Sequence, residues 1–155
     1  MQKLQDIAVR VEATDGLPLN HSNATPIMHE ILHALRKLAA QGESTTIDLQ
    51  AIPFGPGDEE DLLDLLGTGE ITVELNSLGS SIIRESAYSG VWIIDHRNAD
   101  DQRIALHIDI AQVPMIIRSQ PEDVADALHR LEDQLNLNRT ETAGLTPDYG
   151  RSSDG

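Results

Sequence analysis

His29, Glu30 and His33 are the residues whose types and spacing most directly suggest chemistry. They form a His-Glu-x-x-His pattern inside a segment with helical periodicity. Two histidines four residues apart share a helix face and can both bind zinc, while the glutamate can act as general base on a zinc-bound water. The pattern therefore raises the hypothesis of a zinc metallopeptidase built on these three residues.

Such a peptidase needs a third protein ligand, and the sequence supplies none at the expected spacing. An extended motif would place glycine and histidine where the chain has Arg36 and Ala39. Glu59 or Glu60 could be recruited, but their position in the first turn of the next helix is already explained by the helix dipole. We favour a histidine pair on a helix surface, and keep two alternatives: the zinc metallopeptidase, and a metal carrier that uses surface histidines and acids.

Two other polar groupings have ordinary structural explanations. The acidic run 58–61 lacks the alternating order of a calcium-binding loop, and it suits the first turn of a helix. His107 and Asp109 project from the same side of a predicted strand and could bind metal or transfer a proton, but a solvent-facing strand face accounts for them. We therefore predict no enzyme, no catalytic residue, no cofactor and no dedicated metal site.

Charge and composition exclude several classes of partner. The chain has 11 basic and 26 acidic residues, a net charge of -15 that repels nucleic acid and anionic membranes. It has no cysteine, which excludes disulfides and cysteine-bound clusters. No secretory pattern opens the chain and no apolar run could span a bilayer, so we expect a cytoplasmic protein.

The elements that would position these residues can be predicted from periodicity and turn residues. Thr25 is the expected N-cap of the first helix, and Gly42 is expected to end it. The predicted helices cover 25–41, 58–66 and 121–135, and the predicted strands cover 45–52, 70–75, 82–87, 91–97 and 103–112, with a further short strand within 3–13. Hairpin-connected strands among helices indicate an α+β fold, a mainly antiparallel sheet of about five strands with helices packed on one face.

The same patterns predict how the chain is organised. Residues 1–24 are rich in turn-forming residues after the first short strand, and we expect a flexible N-terminal arm. Residues 25–136 carry the periodic segments and are expected to form a single domain. Residues 137–155 are polar and lack periodicity, so we expect a disordered tail.

Several segments, taken in order over roughly residues 23–131, resemble the HupH/HyaF family of hydrogenase expression/formation proteins, which are encoded with uptake [NiFe]-hydrogenases. These segments are NATPIMHEILHALRKL, IDLQAIPFGPGDEEDLLDLLGTGEITV, RESAYSGVWIIDH and VPMIIRSQPEDVADAL. The more specific part is LLGTGE followed by a strand, and then Glu85 a short distance before Gly90-Val91-Trp92.

The resemblance implies an accessory protein that binds a [NiFe]-hydrogenase subunit, in particular the iron–sulfur small subunit, without catalysis. It gives no catalytic residues to carry over. Family-like positions make Glu70, Glu85, Gly90 and Trp92 candidates for partner binding. Tryptophan is enriched at binding hot spots, although core packing is the more ordinary explanation for Trp92.

The resemblance also bears on oligomeric state. Typical family members are about twice as long and carry two related copies of the LLGxGE…GxW unit, which occurs once here. We therefore predict a symmetric homodimer, joined through the strand carrying Gly90 to Ile94 or through whichever strand lies at the sheet edge.

Overall fold

The computed structural model describes residues 23–144, and the chain divides after Pro114 into two compact units. The expected short strand within 3–13, most of the expected arm and the end of the expected tail lie outside the described residues. The described part of the first unit contains α1 (Ala24–Gln41), β1 (Thr45–Asp48), α2 (Asp58–Leu66), β2 (Thr72–Asn76), β3 (Ser80–Glu85), β4 (Val91–Arg97) and β5 (Arg103–Ile110). That of the second unit contains a short 3-10 turn (Met115–Ile117) and α3 (Pro121–Ala143). No helix within residues 23–144 is both long enough and apolar enough to cross a membrane.

The five strands form one antiparallel sheet in the order β1-β5-β4-β3-β2. The three hairpins from β2 to β5 join neighbouring strands, and β1 pairs with β5 at the far edge. The predicted α+β class with about five antiparallel strands is confirmed.

An aliphatic core joins α1 and α2 to one face of the sheet. Antiparallel register places Val91 opposite Ile110 and Ile93 opposite Ile108, so these side chains share that face. The buried cluster consists of Ala24, Ile27, Ile31 and Ala34 from α1, Leu62 and Leu66 from α2, and Ile47, Leu49, Val91, Ile93, Leu106, Ile108 and Ile110 from the sheet and its first turn. With only 3% aromatic residues in the chain, branched aliphatic side chains fill this layer.

Local boundaries differ from the sequence predictions where side chains compete with regular structure. Thr25 is not the N-cap of α1: the helix begins at Ala24, and Asn23 occupies the cap position without a side-chain capping bond. The predicted strand 45–52 stops at Asp48, because the Asp48 carboxylate accepts a bond from the Gln50 N–H and a 3-10 turn follows. Gly42 ends α1 in the left-handed conformation, as predicted.

The last helix is longer than its periodicity suggested. α3 continues to Ala143 rather than ending near residue 135, so residues 137–143 of the expected disordered tail are helical. Thr140 and Thr142 lie in this extension, where their hydroxyls donate to backbone carbonyls four residues earlier. These bonds satisfy the two hydroxyls within the helix but do not themselves stabilise it.

The strand Gly90–Ile94 cannot be the edge that joins two copies. β4 lies between β3 and β5, with both of its backbone edges paired, and the sheet edges are β1 and β2. The predicted seam on this strand is therefore wrong, because the four hairpin-linked strands place β4 in the interior of the sheet.

The LLGTGE segment is tied to the end of β3 by backbone hydrogen bonds. The Gly69 N–H donates to the Glu85 carbonyl at 2.8 Å, and the Ala87 N–H donates to the Leu66 carbonyl at 2.8 Å. A Cβ on Gly69 would lie far inside van der Waals contact of the Ser86 carbonyl oxygen. Glycine at position 69 therefore permits the close approach of the two backbones.

We expect Gly69→Ala to lower the free energy of unfolding by about 3 kcal/mol, because the carbonyl oxygens of Glu85 and Ser86 cannot move away from the added methyl group. Urea denaturation followed by circular dichroism measures the loss. Gly57→Ala is the control: its φ is positive but no atom lies within 4 Å of the added Cβ, so it should cost about 1 kcal/mol. An equal or smaller loss for Gly69→Ala would contradict the close-approach argument.

Candidate functional site

An apolar groove of about 420 Å³ opens beside α1 in the first unit. Its lining, which defines the groove, consists of Thr25, Met28, His29, Ile31, Leu32, Leu35, Leu65 and Tyr88. Leu32, Leu65 and Tyr88 are 44%, 51% and 47% exposed, so large apolar surface faces solvent here. A concave site lined by apolar side chains is suited to binding a ligand or a peptide segment.

Three family-like segments of the sequence meet at the groove. The helix NATPIMHEILHALRKL supplies Met28 and Leu32, the LLDLLGTGE segment supplies Leu65, and the turn between β3 and β4 supplies Tyr88. The backbone bonds between the LLGTGE segment and the end of β3 hold the second and third of these together. The family-like motifs thus build one surface rather than separate features.

The His-Glu-x-x-His pattern lies on α1, but within the described residues it is not part of a metal-binding cluster. His29 lines the groove, and both His29 and His33 are exposed on α1. Among residues 23–144, no group of three or more histidine, aspartate or glutamate side chains is arranged to hold a metal ion. The two histidines lie on the exposed surface of α1, and His29 is at the rim of the groove.

Glu70, Glu85 and Gly90 lie around the junction that supports the groove. Glu70 is exposed immediately after Gly69, and Glu85 ends β3 opposite Trp92 in the register. Gly90 has a φ of +87° and packs beneath α1, where an added Cβ would contact Leu38 at 3.4 Å and Leu35 at 3.9 Å. Gly90 therefore shapes the wall beneath the groove residue Leu35.

Trp92 is a core residue. It is only 4% exposed, and its Nε1–H donates to the Ala111 carbonyl at 3.0 Å. It projects from the sheet face opposite α1 and α2, as its register partners Glu85 and Asp109 show. The ordinary explanation of core packing accounts for this position, and the side chain offers little surface to a partner.

The acidic residues of the first α2 turn have structural partners. The Asp58 carboxylate accepts bonds from the Gly55 N–H at 2.7 Å and from Asn23 Nδ2 at 2.9 Å. The Gly55 bond chiefly holds the pKa of Asp58 below its ordinary value. Glu59 pairs with Arg103 at 2.6 Å, which ties α2 to β5. These contacts explain two of the acids without a bound cation.

Arg103 also pairs with Asp95, next to Arg97. Asp95 lies within 3.2 Å of both guanidinium groups. Burial by itself would raise the pKa of Asp95, but the bonds from Arg103 and Arg97 outweigh it and the pKa lies below its ordinary value. The cluster joins β4 and β5 to α2 and is a structural ion-pair network.

His107 is paired with His96 on the second face of the sheet. The two Nε2 atoms lie 3.2 Å apart, and Ser81 Oγ lies 2.7 Å from Nδ1 of His96. Asp109 instead bonds to the hydroxyl of Thr46 at 2.8 Å. The expected polar strand face is thus mixed, because Ile83, Trp92 and Ile94 on the same face are buried.

Apart from His29, the groove side chains were not among the sequence-predicted site residues. Leu32 and Leu65 read as ordinary members of amphipathic helices, and Tyr88 as part of a turn. The available signal was the width of the apolar stripe on α1, where Met28 and Leu32 lie beside the narrower row of buried residues. A stripe wider than one packing interface indicates a second apolar contact.

We expect Trp92→Phe to lower the free energy of unfolding by about 1–3 kcal/mol, because it removes a buried donor to the Ala111 carbonyl. Urea denaturation gives the value. Tyr88→Phe is the matched control, since Tyr88 is half exposed in the groove and the change should stay within about 0.5 kcal/mol. Stability unchanged by Trp92→Phe would show that its hydrogen bond contributes nothing.

Stability should fall as the pH decreases from 7.5 to 5, in part through His96. Burial, and then the charge of His107, lower the pKa of His96 in the folded state, against the opposing charges of Asp95 and Asp109. The unfolded chain therefore binds the proton more readily, so this stability is present above about pH 6.5 and is lost as the pH falls. Urea denaturation at several pH values should show a smaller decline for His96→Gln, and an identical decline would contradict this assignment.

Sequence comparison places the chain among proteins of hydrogenase expression. A family model described as "HupH hydrogenase expression protein, C-terminal conserved region" matches residues 21–137. Hydrogenase expression/formation protein HoxQ of Azotobacter vinelandii is 29% identical over 124 residues, which are 79% of this chain and 42% of that protein. Hydrogenase expression/formation protein HupH of Rhizobium leguminosarum bv. viciae is 26% identical over 135 residues, covering 81% of this chain and 48% of that protein. The chain spans less than half the length of these curated relatives.

A solved structure has the same fold. The hydrogenase expression protein HupH from Thiobacillus denitrificans ATCC 25259 is 42% identical and superposes with a TM-score of 0.70, over 74% of this chain and 95% of that chain. The family match covers the groove, the whole sheet and most of α3. The chain belongs to the HupH family of hydrogenase expression proteins, whose C-terminal conserved region it carries.

Proposed function

We propose that this protein is a cytoplasmic accessory factor in the maturation of an uptake [NiFe]-hydrogenase, and that it binds the iron–sulfur small subunit without catalysis. Its family and the names of its relatives support a role in hydrogenase expression and formation. The small subunit, the cytoplasmic location and the absence of catalysis are parts of the proposal.

The observation that carries the proposal is the convergence of three family-like segments on the apolar groove. Leu32, Leu65 and Tyr88 come from three separate segments and are all about half exposed. Aliphatic and aromatic side chains left open on a concave surface lower their free energy when a partner covers them. We therefore place the subunit-binding site at the groove, with Glu70 at the exposed junction and Gly90 beneath the groove residue Leu35.

The chemistry of the groove defines the occupant. Of the described residues that line it, only His29 and Tyr88 can ionise, so it suits binding of apolar side chains better than acid–base catalysis. The net charge of -15 favours a segment with basic flanks. Without cysteine the chain cannot hold a cluster through its own thiolates, but it can cover a cluster-binding segment of the subunit.

We also propose that the protein is a homodimer. The chain spans less than half of its curated relatives, whose length would accommodate a second related unit. A two-fold axis is the commonest symmetry among soluble oligomers, so two copies of this unit would be related by one.

Deleting the gene in a strain that lacks longer relatives should lower uptake hydrogenase activity and leave unprocessed small subunit, because maturation would lose its binding factor. Hydrogen uptake and immunoblotting of the small subunit measure the two effects. Normal activity and processing would overturn the assembly role. Stoichiometric zinc together with hydrolysis abolished by Glu30→Gln would establish the metallopeptidase instead.

Groove variants test the position of the binding site in a second experiment, which measures capture of the small subunit. Leu32→Glu or Leu65→Glu should lower capture of co-expressed small subunit by about tenfold or more, because a buried carboxylate is costly at a bound surface. Ile104→Glu is the control: Ile104 is 57% exposed, on β5 at the end of the sheet away from Val91. If both groove variants capture as much small subunit as Ile104→Glu does, the binding site does not lie at the groove.

A further inference from the structure

α3 carries an apolar stripe that faces solvent. Val124, Leu128, Leu131 and Leu135 are each between 54% and 57% exposed, and none of the helix residues is buried. Four large aliphatic side chains in a row on one helix are unusual for an isolated surface helix, because helices are generally stabilised by packing their apolar face.

The spacing of the stripe is that of a two-helix seam. The four residues are separated by four, three and four positions, which is the alternation of the two core positions of a heptad. A helix that packs on a sheet or in a globular core has a wider apolar face, whereas this stripe is only two positions wide in each heptad. The pattern therefore favours one further helix as the occupant.

The side chains beside the stripe suit close approach of a second copy. Ala125 and Ala127 flank the first half of the stripe, and Glu132 and Gln134 flank the second half. In an antiparallel pair, Ala125 meets Glu132 of the other copy and Ala127 meets Gln134, so no like charges face each other along the stripe.

Four further acids within the length of the stripe or just before it lie away from the seam, and Glu141 lies beyond its end. Glu122, Asp123, Asp126 and Asp133 occupy the outer positions of the heptad. Two chains of net charge -15 repel each other, but an antiparallel seam keeps these carboxylates on opposite outer surfaces, where salt screens them. Antiparallel pairing also sets the positive end of one helix dipole beside the negative end of the other.

We propose that α3 is the dimerisation element of this protein and pairs in antiparallel orientation with α3 of a second copy. Val124 of each copy packs against Leu135 of the other, and Leu128 packs against Leu131. This inference rests on the proposed homodimer and replaces the seam on β4, which the sheet topology excludes. Four layers form a short interface, so the dimer should dissociate in the micromolar range.

Sedimentation equilibrium over 1–500 μM, a range chosen around that affinity, tests the seam. The wild-type mass should rise from 16.9 kDa towards twice that value. Leu128→Glu and Leu131→Glu should each weaken association by about 100-fold or more. Leu137→Glu is the matched control, since Leu137 is 66% exposed on the same helix but outside the stripe, and it should change the dissociation constant by less than about threefold.

The orientation has its own measurement. The chain has no cysteine, so a spin label on Glu141→Cys reports a single distance. Antiparallel pairing separates the two labelled backbones by about 34 Å, whereas parallel pairing brings them to about 10 Å. A short distance would overturn the antiparallel arrangement.

The outcomes separate this inference from the proposed function. A wild-type protein that stays monomeric at every concentration would overturn both the dimer and the α3 seam. A dimer that persists in Leu128→Glu and Leu131→Glu would overturn the seam alone. Loss of small-subunit capture in these variants, with no wild-type dimer, would make α3 a client-binding helix and overturn self-association. The expected result is loss of the dimer with capture of the small subunit retained.

Discussion

The close backbone approach at Gly69 is the constraint on which the candidate site depends. The Gly69 N–H bonds to the Glu85 carbonyl, and the space beside Ser86 admits no side chain at position 69. This contact joins the segment that follows α2 to the end of β3, across a sequence separation of 16 residues. It thereby holds Leu65, near the end of α2, close to Tyr88 in the turn before β4. A larger residue at position 69 would separate the two walls of the groove before it altered any groove side chain.

Both faces of the sheet carry buried side chains. One face is covered by α1 and α2 through the aliphatic core, and the other carries buried Trp92 beside the His96–His107 pair. Trp92 therefore contributes to stability, although its residue type suggested recognition. The exposed apolar surface that suits recognition lies instead at the margin of the core, beside α1 and the end of α2. An apolar groove of this kind needs no unusual residue, which is why it is built from leucines, methionine and one tyrosine.

The acidic side chains have different roles in different parts of the chain. Asp58, Glu59 and Asp95 accept bonds from backbone amides, an amide side chain or arginines, and so contribute to the fold. Other acids lie on the exposed outer positions of α3, where they keep the helix soluble and leave its apolar stripe free of charge. Net charge alone could not distinguish these uses, because a carboxylate beside arginine and a solvated carboxylate count equally in a composition.

The sequence by itself determined the local elements and the family. Gly42 marked the end of α1, the predicted bounds of α2 and β4 agree with the structure, and the ordered motifs indicated the HupH resemblance. These features depend on neighbours within a few residues, which a linear pattern records. The tertiary structure alone decided that β4 lies in the interior of the sheet and that Arg103 pairs with Glu59 from 44 residues away. It also decided that Leu32, Leu65 and Tyr88 share one groove. Each of these depends on which distant surfaces meet, and the free energy of such contacts belongs to the packed arrangement and not to any single segment.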